Sequence, residues 1–316
     1  MMLRSARRSI ALAATAATAA LLLTACGGGS GARGADGRLN VVASFYPLQY
    51  LAEQIGGGHL NVTDLTADGT EPHDLELTPR QVGTVQEAGV ILYLKGLQPT
   101  VDKAVEQASS KHVVDATAAS PLVDHHLDEG AAEDSAGHVH PGAAGDPHIW
   151  LDPSRYAAVA RSVGAELARA DPANAAEYGA NTEALVGRLT ALDQSFRAGL
   201  ASCRSTAFVT SHAAFGYLAD HYGLEQIAIN GVDPESEPTP SRLADIQQAA
   251  KTHDVSTIFF EALVSPKLAQ SVARDLGLRS AVLDPLEGVK DPAADDYFSI
   301  MRQNLTNLQT ALGCTS

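Results

Sequence analysis

Residues 172–201 read "PANAAEYGANTEALVGRLTALDQSFRAGLA". The run holds good helix formers, and its one proline is at the start, the first helical position after an Asp171 N-cap. At about 1.5 Å per residue such a helix extends roughly 40 Å. It is long for a globular element and carries no heptad seam, so a coiled coil does not account for it. It reads as a rigid rod joining two bodies, and the sequence on either side bears on that reading.

Upstream, from Leu39, short apolar runs alternate with helical ones. "LNVVAS", "LNVTDL", "VILYL" and "HVVDA" read as strands, separated by "YPLQYLAEQIG", "TPRQVGTVQEAG" and "PTVDKAVEQA". Downstream the alternation returns: strands "TAFVT", "EQIAI", "STIFF" and "SAVLD" are interleaved with four helical segments. Strands alternating with helices imply parallel sheets. The expected fold is therefore α/β: two lobes, each with a roughly four-stranded parallel sheet flanked by helices, bridged by one long rigid helix. The expected boundaries are an N-terminal lobe at 39–153, a helical segment with the linking helix at 154–201, and a C-terminal lobe at 202–316.

The segment before Leu39 is set apart from the fold. Residues 1–25 have a basic start, an Ala/Leu-rich run and small residues before Cys26, the pattern of a bacterial lipoprotein signal peptide with Cys26 as the lipidated residue. Residues 26–38 are glycine-rich and read as a flexible tether. The protein would then be lipid-anchored at the cell membrane on its extracytoplasmic face, periplasmic or extracellular. In such a compartment disulfides persist, and the remaining pair, Cys203 and Cys314, is expected to form one. The formal charge of −15 argues against a nucleic-acid partner, which needs a basic face.

Five of the eleven histidines fall in "DHHLDEGAAEDSAGHVHPGAAGDPHIWLDP", residues 124–153, which has no Lys or Arg. This stretch reads as two things joined end to end. Residues 124–145, with His125, His126, His138 and His140, are Gly-, Ala- and acid-rich, and suit a mobile loop with weak accessory metal binding. "DPHIWLDP" is stiffened by Pro147 and Pro153 and anchored by Ile149 and Trp150, which would fix His148.

Three further residues stand where α/β sheets place ligands, beyond strand ends: His73 in "GTEPHDLELTP", His212 in "FVTSHAAF" and Asp284 in "SAVLDPL". With His148 they supply three imidazoles and a carboxylate, a natural tetrahedral set for Zn2+. The bland readings are capped loop histidines and, for Asp284 before proline, a turn former. Glu261 in "FFEALVSPK" suits an outer-shell acceptor or a hinge contact. His59, His112, His221 and His253 read as surface residues without partners.

The ordered blocks "ASFYPLQYLAEQIGG", "EPHDLELTP", "DPHIWLDP", "SHAAFGYLADHYGL", "FFEALVSPK" and "LDPL" resemble the metal-binding solute-binding proteins of bacterial ABC transporters, in particular the zinc-uptake members. The resemblance covers essentially all of residues 39–313. It implies metal ligands at His73, His148, His212 and Asp284. Histidine rather than glutamate at the third position is the zinc pattern. Some zinc members carry a glutamate beside the first histidine, where this chain has Pro72, which favours Asp284 as the fourth ligand. The implied function is non-enzymatic: an extracytoplasmic, monomeric lipoprotein that captures Zn2+ as transported ligand and delivers it to a membrane ABC permease. A metallochaperone is a further candidate partner. The alternatives are a manganese- or iron-binding member of the same family, or an extracellular zinc hydrolase; no HExxH motif supports the latter.

Overall fold

The computed structural model describes residues 32–125, 145–234 and 238–315. Among the described residues, eight strands form two parallel sheets. The first holds β1 (Leu39–Ala43), β2 (Leu60–Asp64), β3 (Val90–Tyr93) and β4 (Val113–Asp115), in the order β2-β1-β3-β4. The second holds β5 (Ala207–Thr210), β6 (Glu225–Ala228), β7 (Thr257–Phe260) and β8 (Arg279–Val282), in the order β6-β5-β7-β8. The two orders are equivalent: each lobe starts on an inner strand, steps to one edge, then crosses back past it. Every pairing is parallel, so each connection must cross the sheet, and helices supply the crossings.

The first lobe carries α1 (Tyr46–Gly56), α2 (Pro79–Glu87), α3 (Pro99–Glu106) and a short α4 (Ala116–Ala119) that the sequence did not suggest. Thr78 and Gln81 close α2 with a reciprocal capping box, which satisfies otherwise orphaned backbone donors. Next come α5 (Pro153–Ala170) and α6 (Ala175–Leu200), followed in the second lobe by α7 (Gly216–Tyr222), α8 (Pro240–Thr252), α9 (Lys267–Leu276) and α10 (Tyr297–Leu312). The expected long helix is thus α6, preceded by a 3-10 turn at Pro172–Asn174. Asp171 does not cap it. Its carboxylate accepts instead from Asn174 Nδ2, the Tyr178 hydroxyl and Arg33. Residues 32–38, read as the end of a tether, lie against the body: Arg33 bridges to Leu39, and Asn40 N–H donates to the Ala32 carbonyl.

The largest apolar cluster does not stop at a lobe boundary. It joins Val41, Ala43 and Leu92 of the first sheet to Leu189 and Phe196 of α6, to Phe208 and Phe259 of the second sheet, and to Tyr297 and Met301 of α10. Two smaller clusters sit apart, one around Ile246, Ile258 and Val272, the other around Val85, Ile91 and Val101. Continuous burial through α6 and α10 ties both lobes to the rod, which fits the rod's expected role. Cys203, just past α6, is disulfide-bonded to Cys314, just past α10, with a sequence separation of 111. Gly313, in the left-handed region at φ 65°, turns the chain out of α10 toward that bridge. Among the described residues no helix is long and apolar enough to cross a membrane. The expected signal peptide, Cys26, His126, His138 and His140 lie outside the described residues.

Candidate metal centre

The two lobes bring His73, His148, His212 and Glu287 together, with one potential ligand atom from each lying within 4.8 Å of the others. Four separate pieces of local structure do this. His73 sits in the irregular segment between β2 and α2. Both Glu71 carboxylate oxygens accept its backbone N–H, at 3.1 and 3.0 Å. The preceding carbonyl, of Pro72, accepts from the buried Gln98 amide at 3.2 Å.

His148 begins a 3-10 turn, Ile149–Leu151, whose three side chains are buried. Trp150 Nε1–H donates to the Pro285 carbonyl at 2.7 Å, and the Tyr297 hydroxyl donates to the Trp150 carbonyl at 2.8 Å. The expected anchoring of "DPHIWLDP" is therefore present, and it reaches into the second lobe. Asp152 ends the motif as the N-cap of α5.

His212 follows β5 by two residues. Its carbonyl accepts from the Thr210 hydroxyl at 2.7 Å and from Gln226 Nε2 at 3.0 Å, fixing the backbone just past the strand end.

The fourth group of the cluster is Glu287 and not the expected Asp284. Asp284 was expected as a ligand, but its Oδ1 accepts the Leu286 N–H at 2.8 Å, and its backbone is locked to Asn304 in both directions. It is the turn former. Leu286 takes φ 57°, a conformation an L-residue with a large side chain rarely adopts, and the turn swings Glu287 into the cleft. The quoted motif "LDPL" stops one residue short of the carboxylate that arrives there. The only signal available was a second acid three positions on, beside Gly288, and nothing in the spacing ranked it above Asp284.

Glu287 Oε1 lies 3.1 Å from His73 Nε2, 3.0 Å from His148 Nε2 and 3.4 Å from His212 Nε2. Its Oε2 is buried with no hydrogen-bond partner among the described residues. Burial alone would raise this carboxyl, but the charge of His212 and hydrogen bonds from the histidines hold it well below its ordinary range. Burial would lower His212 and His148. The carboxylates of Glu261 and Glu287 instead raise His212 well above the imidazole range, and Asp146 and Glu287 raise His148. Glu71, at the rim, is pushed up to about 7, chiefly by burial.

Each buried histidine has a carboxylate behind it. Glu261 Oε1 lies 2.6 Å from His212 Nδ1 and also accepts from the Ser211 hydroxyl. Asp146 Oδ1 lies 2.7 Å from His148 Nδ1. These carboxylates face the Nδ1 side of each ring, while the Nε2 atoms of His148 and His212 lie 3.4 Å apart across the cleft, the side from which a neutral ring ligates metal once its other nitrogen is held by a carboxylate. Asp284, more remote, is raised to about 6 by burial.

The other histidines depart from expectation. His125 is 10% exposed and contacts Asp146 and Asp220. The four read as unpartnered each meet an acid: His59 with Glu177, His112 with Glu166, His253 with Glu225, and His221 between Asp152 and Asp193.

Three comparisons bear on this arrangement. The zinc-binding protein AdcA of Streptococcus pyogenes is 36% identical over 292 residues, covering 87% of this chain but 56% of that one. The chain thus spans little more than half the length of the first relatives it matches. The high-affinity zinc uptake system protein ZnuA of Bacillus subtilis is 33% identical over 303 residues, covering 92% of this chain and 94% of its own length. The crystal structure of the Zn(II)-bound ZnuA-like domain of Streptococcus pneumoniae AdcA superposes with a TM-score of 0.72 at 31% identity, covering 87% of this chain and 99% of that one. The family model described as ZnuA, zinc-uptake complex component A, periplasmic, matches residues 41–311, and the chain belongs to that family.

Proposed function

We propose that this protein captures Zn2+ at His73, His148, His212 and Glu287 and delivers it to a membrane ABC permease. The observation that carries this reading is the donor set itself: three imidazole Nε2 atoms and one carboxylate oxygen within 4.8 Å of one another, drawn from both lobes. Zinc takes four such donors tetrahedrally, whereas manganese prefers more oxygen ligands. Glu261 and Asp146 act as outer acceptors that orient His212 and His148. Four protein ligands close the coordination sphere, where a hydrolytic zinc keeps a position open for water. The protein is therefore a binding component and not an enzyme. Lipidation at Cys26 would hold it at the extracytoplasmic face, beside its permease.

The test is metal content after purification without added metal, joined to calorimetry on the wild type and His148→Ala. One tight zinc per molecule in the wild type, lost in His148→Ala, is the expected result. Tight zinc retained in His148→Ala, or manganese as the bound metal, would overturn the assignment.

A further inference from the structure

Behind His148 a hydrogen-bonded chain runs toward the surface. Asp146 is fully buried. Its Oδ1 accepts the His148 backbone N–H at 2.9 Å and lies 2.7 Å from His148 Nδ1. Its other oxygen, Oδ2, lies 2.8 Å from His125 Nδ1. His125 Nε2 in turn lies 3.2 Å from Asp220 Oδ2, whose side chain is 71% exposed. His125 is itself held in place. Its ring stands edge-on to Tyr217 with centroids 4.3 Å apart. The Tyr217 hydroxyl accepts the Val123 N–H at 2.8 Å and donates to the Asp146 carbonyl at 2.7 Å. Asp146 N–H donates to the Val123 carbonyl at 2.8 Å.

We propose that His125 is a positioning residue for metal capture: its Nδ1–H holds the Asp146 carboxylate in the one orientation that fixes the ring and tautomer of His148. This rests on the reading of His148 as a zinc ligand. The physical argument concerns Asp146 Oδ2. A buried carboxylate oxygen left without a donor is costly, and the carboxylate escapes that cost by rotating. Rotation withdraws Oδ1 from His148 Nδ1. The ring then loses both its orientation and the preference for Nδ1–H that leaves the Nε2 lone pair free for metal. His125 supplies the missing donor. It is thus part of the metal centre, although it lies two hydrogen bonds from the ligand atom.

The experiment uses the purified protein, with zinc affinity read by chelator competition and the His148 ring followed by imidazole nitrogen and proton resonances. His125→Ala is expected to weaken zinc about 10-fold, the lower end of the loss seen for partners that orient metal ligands, and to shift or broaden the His148 Hδ1 signal. His125→Asn, whose side-chain amide can occupy the place of Nδ1–H, is expected to restore most of the affinity and the signal. His125→Ala with wild-type affinity and an unmoved Hδ1 signal overturns the proposal. Equal losses in Ala and Asn, with the melting temperature of the metal-free protein lowered equally, overturn it too, because His125 would then act only on the fold. Tight zinc retained by His148→Ala is a separate failure, of the site assignment itself.

Discussion

The two sides of the cleft are built differently. His148, His212 and Glu287 are 0%, 0% and 1% exposed. They stand on a 3-10 turn locked to the second lobe, on a strand end, and on a strained turn. His73 is 12% exposed and stands on an irregular segment, held through backbone contacts to Glu71 and Gln98. Three groups form a hard wall and the fourth closes over it. In such a site the wall sets the geometry, while the softer arm governs how metal enters and leaves. Loops are where local opening is least costly.

That contrast can be broken most forcefully at the wall. Glu287→Gln and His212→Ala are expected to lower zinc affinity by at least about 100-fold, beyond the roughly 10–100-fold typical of losing an outer partner. His73→Ala should cost less, about 10–100-fold, with most of the loss in faster zinc release measured by stopped-flow chelation. Equal losses and equal off-rates at His73 and His212 would remove the distinction between arm and wall.

The pH response sharpens it next. Neighbouring carboxylates raise His148 and His212 above the ordinary imidazole value of about 6.5 in the metal-free fold, so zinc must displace protons to bind. Affinity should fall as pH decreases, beginning above about 6.5. The metal-free protein moves the other way. A raised imidazole contributes stability that is fully present below the unfolded value near 6.5 and is lost as pH rises through the native value. Glu287, held low, contributes stability present above about 4.5 and lost only as pH falls through its depressed native value. The metal-free melting temperature should therefore be higher near pH 6 than near pH 8, while the zinc-induced increment shrinks. An increment that does not change between those values would contradict protonation of the wall.

Smaller effects are expected away from it. Asp284→Asn keeps an oxygen for the Leu286 N–H and should change zinc affinity less than about 3-fold. Asp284→Ala removes that acceptor and should cost stability of about 1 kcal/mol, seen in denaturant unfolding. A loss on Asp284→Asn as large as on Glu287→Gln would restore Asp284 as a ligand. Smallest of all on zinc should be Cys203→Ser with Cys314→Ser: affinity unchanged, stability lower by about 2–5 kcal/mol.

Much of this was legible from residues alone. The eight strands follow from alternation, the long helix from its composition, the cysteine pair from compartment and even count, and the three histidines from their motifs and the family resemblance, although the expected Asp171 cap does not form. What escaped was decided by tertiary packing. Glu287 reaches the cleft only because Leu286 adopts a left-handed conformation, which no propensity announces. His125 looked like one more histidine in an acidic loop, because its partners, Asp146, Asp220 and Tyr217, are distant in sequence or belong to another element. The paired His221 was invisible for the same reason: Asp152 and Asp193 come from the two ends of the helical segment. The pattern of elements is local information, whereas which carboxylate reaches the cleft is not.

The bridge between Cys203 and Cys314 has a mechanical consequence. A pull applied between the N-terminal end of the chain and its C-terminus travels along α6 and crosses the covalent link directly to residue 314. The whole second lobe, with His212 and Glu287, hangs from that path as a closed loop and carries no load. Force can peel the first lobe, but it cannot extend the second until the bond is reduced. Single-molecule stretching should therefore give a contour-length gain short by the 111-residue separation, recovered when reductant is added.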